Sequence, residues 1–442
     1  AAGARACRSA IAATGRATGR KRKLHAEEGV LAVDLECGLR VRILPDHGVP
    51  ICAGWLAWLG GQGSEPAAQA GLASLTAATL TRGNQRLGGD DLSRAIEGVA
   101  ASLSGFAGRS SMGLHGEAIA RHFPEVLDHM IECALTPTFP EDEVAEERRV
   151  ALEELAAADD DLGSVALRGL RELLYGEHPG ARPLRGTPKG VRGLHSRALQ
   201  GAWRRGYPIG EAVLAIVGDV DVDALVAALS ARLADLDAPA ARRARRIARP
   251  KALTRPRRRT LHREREQAHL AIGYPGLVLD DPRTPAMEVL CTVLGGQSGR
   301  LFLALREEEG LVYHVDAHSS ESVGGGHFAV YAATSQDKLD RALAAIDRHL
   351  DRIVDEAVDA ASLARAKAWL CGQHQIGLQR RSRIANEVAF DVARGLSPTR
   401  YRGYVERIEA VDAAAVLELA QAIIVPKRRA LSLVTSPKLR SR

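Results

Sequence analysis

Between Asp237 and Arg259 the chain runs through a stretch of alanine, arginine and proline, and a similar order of strands and helices lies on either side of it. That repetition constrains the fold most. Two stretches of about 200 residues, each large enough for its own core, predict two similar domains joined by a linker. Before the linker, Leu31–Cys37 and Leu39–Leu44 alternate as half-buried strands do, and Ile51–Leu59 is a more buried strand. Ala70–Thr81 is an alanine-rich helix ending at Gly83, and Asp90–Ala100, Ala118–Leu135 and Glu141–Leu155 are helices, the last two parted by Pro137 and Pro140. Val213–Val217 is an apolar strand that leads into a helix over Val222–Leu233. After the linker, Gln267–Tyr274 is a strand, and Thr284–Leu294 and Arg300–Glu308 are helices flanking a glycine loop. Val312–Ala317 and Gly326–Ala333 are strands, Gln336–Glu356 and Ala360–Arg394 hold long amphipathic helices, and Ala430–Val434 is a closing strand. The mixture predicts an α+β fold of two similar domains, each a mixed sheet with helices packed on it. The boundaries read from it are a basic tail at 1–23, an N-terminal domain at 24–236, a basic linker at 237–259 and a C-terminal domain at 260–442.

A net charge of +6 would suit a nucleic-acid partner if it were spread over a folded face. It is not. Seven Lys and Arg without an acid lie in the first 23 residues and ten more between Arg242 and Arg259, so the remaining chain is net acidic. Aromatic residues make up only 4% of the chain, which leaves little to stack on bases. The expectation is no nucleic-acid partner and a solvated tail and linker. No run is long and apolar enough to cross a membrane, and the first residues lack the apolar core of a secretory signal. The expected location is therefore cytoplasmic, or periplasmic if an upstream segment has been removed. Six scattered cysteines without C-x-x-C spacing argue against a zinc ribbon or a disulfide scaffold.

The segment GLASLTAATLTRG, Gly71–Gly83, resembles the region that carries H-x-x-E-H in active peptidases of the pitrilysin/insulinase (inverted-zincin) family. That spacing places two histidines on one helix face to bind zinc, with a glutamate between them to activate water. Here the three positions are Ser74, Ala77 and Ala78, none of which can ligate zinc or accept a proton as a carboxylate does. The family's third ligand falls on Glu154, and a supporting acid of the family falls on Glu147. Read without the family, both are acids on a charged helix. HPGARPLRGT at His178–Thr187 and AIVGDV at Ala215–Val220 keep the family's order and spacing. So does LGGQSGRLFLALREEEGLVYHV, at Leu294–Val315, where the family's substrate-directed arginine and tyrosine match Arg306 and Tyr313. A guanidinium can donate charge-assisted hydrogen bonds to a peptide carbonyl, and a phenol can steady a developing oxyanion. Read alone, they are a helix-surface arginine and a strand tyrosine. The histidines at His122 and His129 and at His314 and His318 lack the motif's spacing, and neither a phosphate-binding glycine loop nor a G-x-S-x-G elbow is present.

The resemblance implies one half of a clam-shell peptidase with a degenerate metal site. The implied chain is not active alone and carries no zinc. It pairs with an H-x-x-E-H homologue that holds the zinc, encloses a peptide substrate and supplies Arg306 and Tyr313. The alternative is a structural or binding protein that kept the fold and has no part in proteolysis. An independent enzyme with another nucleophile is a third reading.

Overall fold

The structure, a computed structural model, describes residues 25–237 and 249–437. The basic tail and most of the expected linker lie outside the described residues. Among the described residues twelve strands form two mixed sheets. The first contains β1 (His25–Glu27), β2 (Val30–Asp34), β3 (Arg40–Pro45), β4 (Ile51–Leu59), β5 (Ser102–Ala107), β6 (Ser111–Ile119) and β7 (Val213–Gly218), in the order β1-β2-β3-β7-β4-β6-β5. The second contains β8 (Arg257–His262), β9 (Gln267–Gly276), β10 (His314–Ser320), β11 (Gly326–Ser335) and β12 (Ala430–Thr435), in the order β10-β11-β9-β12-β8. Each sheet has one parallel pair, β3 with β7 and β8 with β12; the other pairings are antiparallel. The α+β architecture of two sheets matches the reading of the sequence.

The longer helices are α1 (Leu72–Thr79), α2 (Gly89–Glu97), α3 (Phe123–Leu135), α4 (Glu141–Asp160), α5 (Leu162–Tyr175), α6 (Ser196–Gly206) and α7 (Val222–Arg232) in the first half. The second half adds α8 (Thr284–Leu294), α9 (Leu339–Asp355), α10 (Ala360–Gly377), α11 (Arg381–Ala393) and α12 (Ala413–Ile423). All six residues of β7, VLAIVG, are buried, as a central strand covered on both faces requires. Its Leu214 and Ile216 join α3, α6 and α7 in one core, whereas Val213, Ala215 and Val217 face Ala385, Val388, Ala389 and Val392 of α11.

Helix α11 therefore comes from the second half of the chain and covers the first sheet. Helix α5 does the reverse. Its Leu162, Val165, Ala166, Leu170 and Leu174 recur at helical spacing and pack on Ala271, Ala329, Ala430 and Val434 of the second sheet. A Cβ at Gly169 would run into Ser432 and one at Gly273 into Leu170, so glycine at both positions lets helix and strand approach closely. Polar contacts fix each crossing. Arg381 pairs with Asp46 at 2.7 Å, the guanidinium of Arg40 donates to the Val392 carbonyl at 2.8 Å, and Tyr175 hydrogen-bonds His327 at 2.9 Å.

Three expectations change at this level. The linker was read as extending to Arg259, but Arg257–Arg259 already belong to β8, where Arg259 pairs with Glu172 and Arg257 donates to the Leu173 carbonyl. The helix read over Arg300–Glu308 becomes one short turn, Arg300–Phe302, followed by a π-helix over Leu303–Glu308, and the next strand starts at His314 rather than Val312. The stretch Ala360–Arg394 divides into α10 and α11, the second of which leaves for the other sheet. Among the described residues no helix is long and apolar enough to cross a membrane.

If the exchanged helices hold the two halves together, Leu170→Ala should cost about 2–5 kcal/mol, as buried leucines do, and lower one shared unfolding transition. Calorimetry reads this directly. A variant that melts in two separate steps, with the first sheet unaffected, would show that the halves fold independently.

Candidate functional site

Helix α1 is positioned from its N-terminal side. Gly71 sits at φ +108° and has no room for a side chain, since a Cβ there would meet Arg185 and Val191. The buried carboxylate of Glu65 accepts from the backbone N–H of Gly71 at 3.0 Å and of Ala73 at 2.6 Å, taking the place of a side-chain cap. Burial raises the Glu65 pKa, and these two hydrogen bonds oppose the rise. On the far side of the helix, β5 comes so near that a Cβ at Gly105 would collide with the Ala77 carbonyl. Within this frame Ala77 is buried, and Ser74 and Ala78 are half-buried.

Helix α4 packs beside α1 and carries both expected acids, but each is engaged by an arginine. The Arg82 guanidinium, just beyond α1, donates through Nε and Nη2 to Glu147 Oε1 at 2.9 and 2.6 Å. Arg185 grips Glu154 with Nε 2.8 Å from Oε2 and Nη2 3.2 Å from Oε1. A catalytic zinc needs three protein ligands, and this face offers a serine, two alanines and two carboxylates already committed to guanidinium groups. The residues do not fit the metal. Among the described residues no group of three or more His, Cys, Asp or Glu could hold an ion. His122, just before α3, accepts from Arg121 at 3.0 Å, and His129 is buried within α3.

Arg306 and Tyr313 lie on the layer of the second sheet, at either end of a turn. Buried Leu305 and Leu311 anchor that turn, and the Leu311 N–H donates to the Leu305 carbonyl at 2.7 Å. The π-helix widens the backbone around Arg306, a distortion that recurs at functional sites. The guanidinium lies 5.1 Å from the Phe302 ring centroid and 3.8 Å from Glu307, with half its side chain open to solvent. Tyr313 is 57% exposed while its backbone N–H is held by the Ala333 carbonyl at 2.8 Å. Both side chains are thus presented on a fixed backbone. No hydrogen bond or ion pair among the described residues links them to Ser74, Ala77, Ala78 or Glu154, which belong to the layer of the first sheet. Sequence reading missed Glu65, Arg82 and Arg185, since their partners emerge only when distant segments meet.

The two-sheet fold is that of a peptidase scaffold, and comparison with known proteins supports this class. Residues 40–188 match the model for the insulinase family, peptidase family M16, and residues 208–370 match the model for the peptidase M16 inactive domain. A chain from Streptomyces coelicolor described as an uncharacterized zinc protease is 29% identical over 314 residues, spanning 70% of this chain and 68% of its own length. A similarly described protein of Mycobacterium tuberculosis is 28% identical over 378 residues, covering 81% of this chain and 84% of itself. Among solved structures, a peptidase M16 inactive domain from Pseudomonas fluorescens superposes with a TM-score of 0.83 at 20% identity, over 92% of this chain and 98% of that one. A protease from Helicobacter pylori gives 0.84 at 15% identity, over 92% and 99%. The chain belongs to the insulinase-type M16 peptidase family.

Purified protein is expected to contain no stoichiometric zinc by elemental analysis, because the ligand set is missing and Glu154 is held by Arg185. About one zinc per chain surviving mild chelation would contradict this account of the site.

Proposed function

We propose that this chain is the zinc-free companion subunit of a heterodimeric zinc metalloendopeptidase. Its partner is a homologous subunit that bears H-x-x-E-H and holds the zinc, and the two together enclose a peptide substrate. In that assembly Arg306 and Tyr313 reach toward the partner's active site, where the guanidinium binds a substrate carbonyl and the phenol donates to the oxyanion that forms. One contrast carries the reading. The acids Glu147 and Glu154 are paired with Arg82 and Arg185, whereas Arg306 and Tyr313 stand exposed on an anchored turn, and among the described residues no carboxylate comes closer to Arg306 than 3.8 Å. Family membership supports the peptide chemistry, and the match to an inactive-domain model agrees with a chain that does not hydrolyse peptides alone.

Arg306→Lys keeps the charge but loses the planar fork, and Tyr313→Phe keeps the ring but loses the hydroxyl. Each should lower peptide cleavage by the assembled pair, with Tyr313→Phe costing about 10²- to 10³-fold if it supplies an oxyanion donor. Assembly, followed by size-exclusion chromatography, should not change. Wild-type cleavage by both variants would make the residues structural and favour a fold kept for binding alone.

A further inference from the structure

Helices α8, α10, α11 and the short helix Tyr404–Glu409 line a cavity of about 580 Å³ that includes no residue of α1 or α4. It lies where α11 departs for the first sheet, and all the residues that line it come from the second half of the chain. The cavity is rich in arginine, and most of its charges are matched. Glu387 holds Arg383 at 2.7 Å, Asp391 pairs with Arg394 and lies 3.8 Å from Arg400, and Glu288 accepts from the Tyr404 hydroxyl. Burial pushes Glu288 and Asp391 upward, and the Tyr404 hydroxyl and the Arg394 guanidinium respectively oppose the rise.

Two guanidinium groups remain. Among the described residues neither Arg380 nor Arg407 has a carboxylate within ion-pairing distance, and the side-chain contact of Arg407 is a donation to the Arg400 carbonyl at 3.0 Å. Burial and the nearby charge of Arg400 lower the Arg407 pKa, while the carboxylates of Asp391, Glu288 and Glu406, beyond ion-pairing distance, oppose the shift. In the same lining the His374 and Tyr404 rings stack with centroids 4.2 Å apart, and His374 Nε2 donates to the Tyr401 carbonyl at 3.0 Å. Ile376, 65% exposed on the rim, adds apolar surface.

We propose that this cavity binds a small organic anion, whose carboxylate or phosphate group is taken by Arg380 and Arg407 and whose body lies along the His374–Tyr404 stack and Ile376. Its volume falls in the range of small-molecule sites, and an aromatic wall with a few convergent charged groups is their usual composition. Guanidinium groups suit both oxyanions because their planar donors match either geometry. The site does not depend on the peptidase assembly, so it stands or falls independently of the companion-subunit reading.

Isothermal titration of the full chain at constant ionic strength tests it with three probes: phenyl phosphate, hippurate and the neutral hippuramide. Saturable one-to-one binding by either anion, and none by hippuramide, is the expected result; the tighter anion tells whether phosphate or carboxylate is preferred. Arg407→Gln and Arg380→Gln should each weaken it roughly tenfold or more, the effect of one lost charge-assisted contact, and Arg407→Lys should restore part of it. Arg380 is exposed, so its variant is expected to keep the wild-type circular dichroism and melting point even if Arg407→Gln does not fold. The proposal is overturned if neither anion binds saturably, if hippuramide binds as well as hippurate, or if folded Arg380→Gln binds like the wild type.

Discussion

Helix α5 grows out of the first half of the chain and buries its leucines on the second sheet, while α11 grows out of the second half and buries its alanines and valines on the first. Neither sheet has both faces covered without the other half. The strands show it: β7 is buried on both sides, and Ala271 and Ala329 point away from the main core of their own sheet into the one made with α5. The apolar area involved makes the two halves thermodynamically dependent on each other. The exchange also explains why small residues line these seams, since glycine and alanine let helix and strand come near enough to exclude water.

On that framework both acids of α4 are engaged by arginines from other segments. Arg82 meets Glu147 and Arg185 meets Glu154, and in each case two guanidinium nitrogens reach the carboxylate. Both pairs are partly solvent-exposed, so their contribution to stability is modest. Their chemical consequence is larger, because a carboxylate already gripped by a guanidinium must lose that partner before it can ligate a metal. The Arg306 and Tyr313 turn was left in the opposite state, with a fixed backbone and open side chains.

Much of this was legible in the sequence, because strand alternation and helical spacing are local signals. Ile51–Leu59 keeps the same bounds in the structure. That Ser74, Ala77 and Ala78 carry no zinc-ligating side chain is legible from residue types alone. What could not be read depends on contacts between distant segments. The acid–arginine pairs join residues 65 and 31 positions apart, and nothing near Leu162–Tyr175 announces which sheet it covers. The first half of β8, Arg257–Arg259, reads as linker because its three arginines have the charge of a solvated spacer; it belongs to an exposed edge strand, where such charges discourage pairing with other chains. The π-helix escaped for a different reason: LALREE has ordinary α-helical propensity, and the backbone widens only in the folded chain.

The central claim is that this chain completes a peptidase site it does not itself contain. The most direct measurement is peptide hydrolysis by this chain, by an H-x-x-E-H homologue from the same organism, and by their mixture, with zinc counted in each. The account predicts no hydrolysis by this chain alone, a complex that co-elutes with zinc only on the homologue, and cleavage well above that of the homologue alone. Hydrolysis by this chain alone, or a homologue equally active without it, would contradict the account.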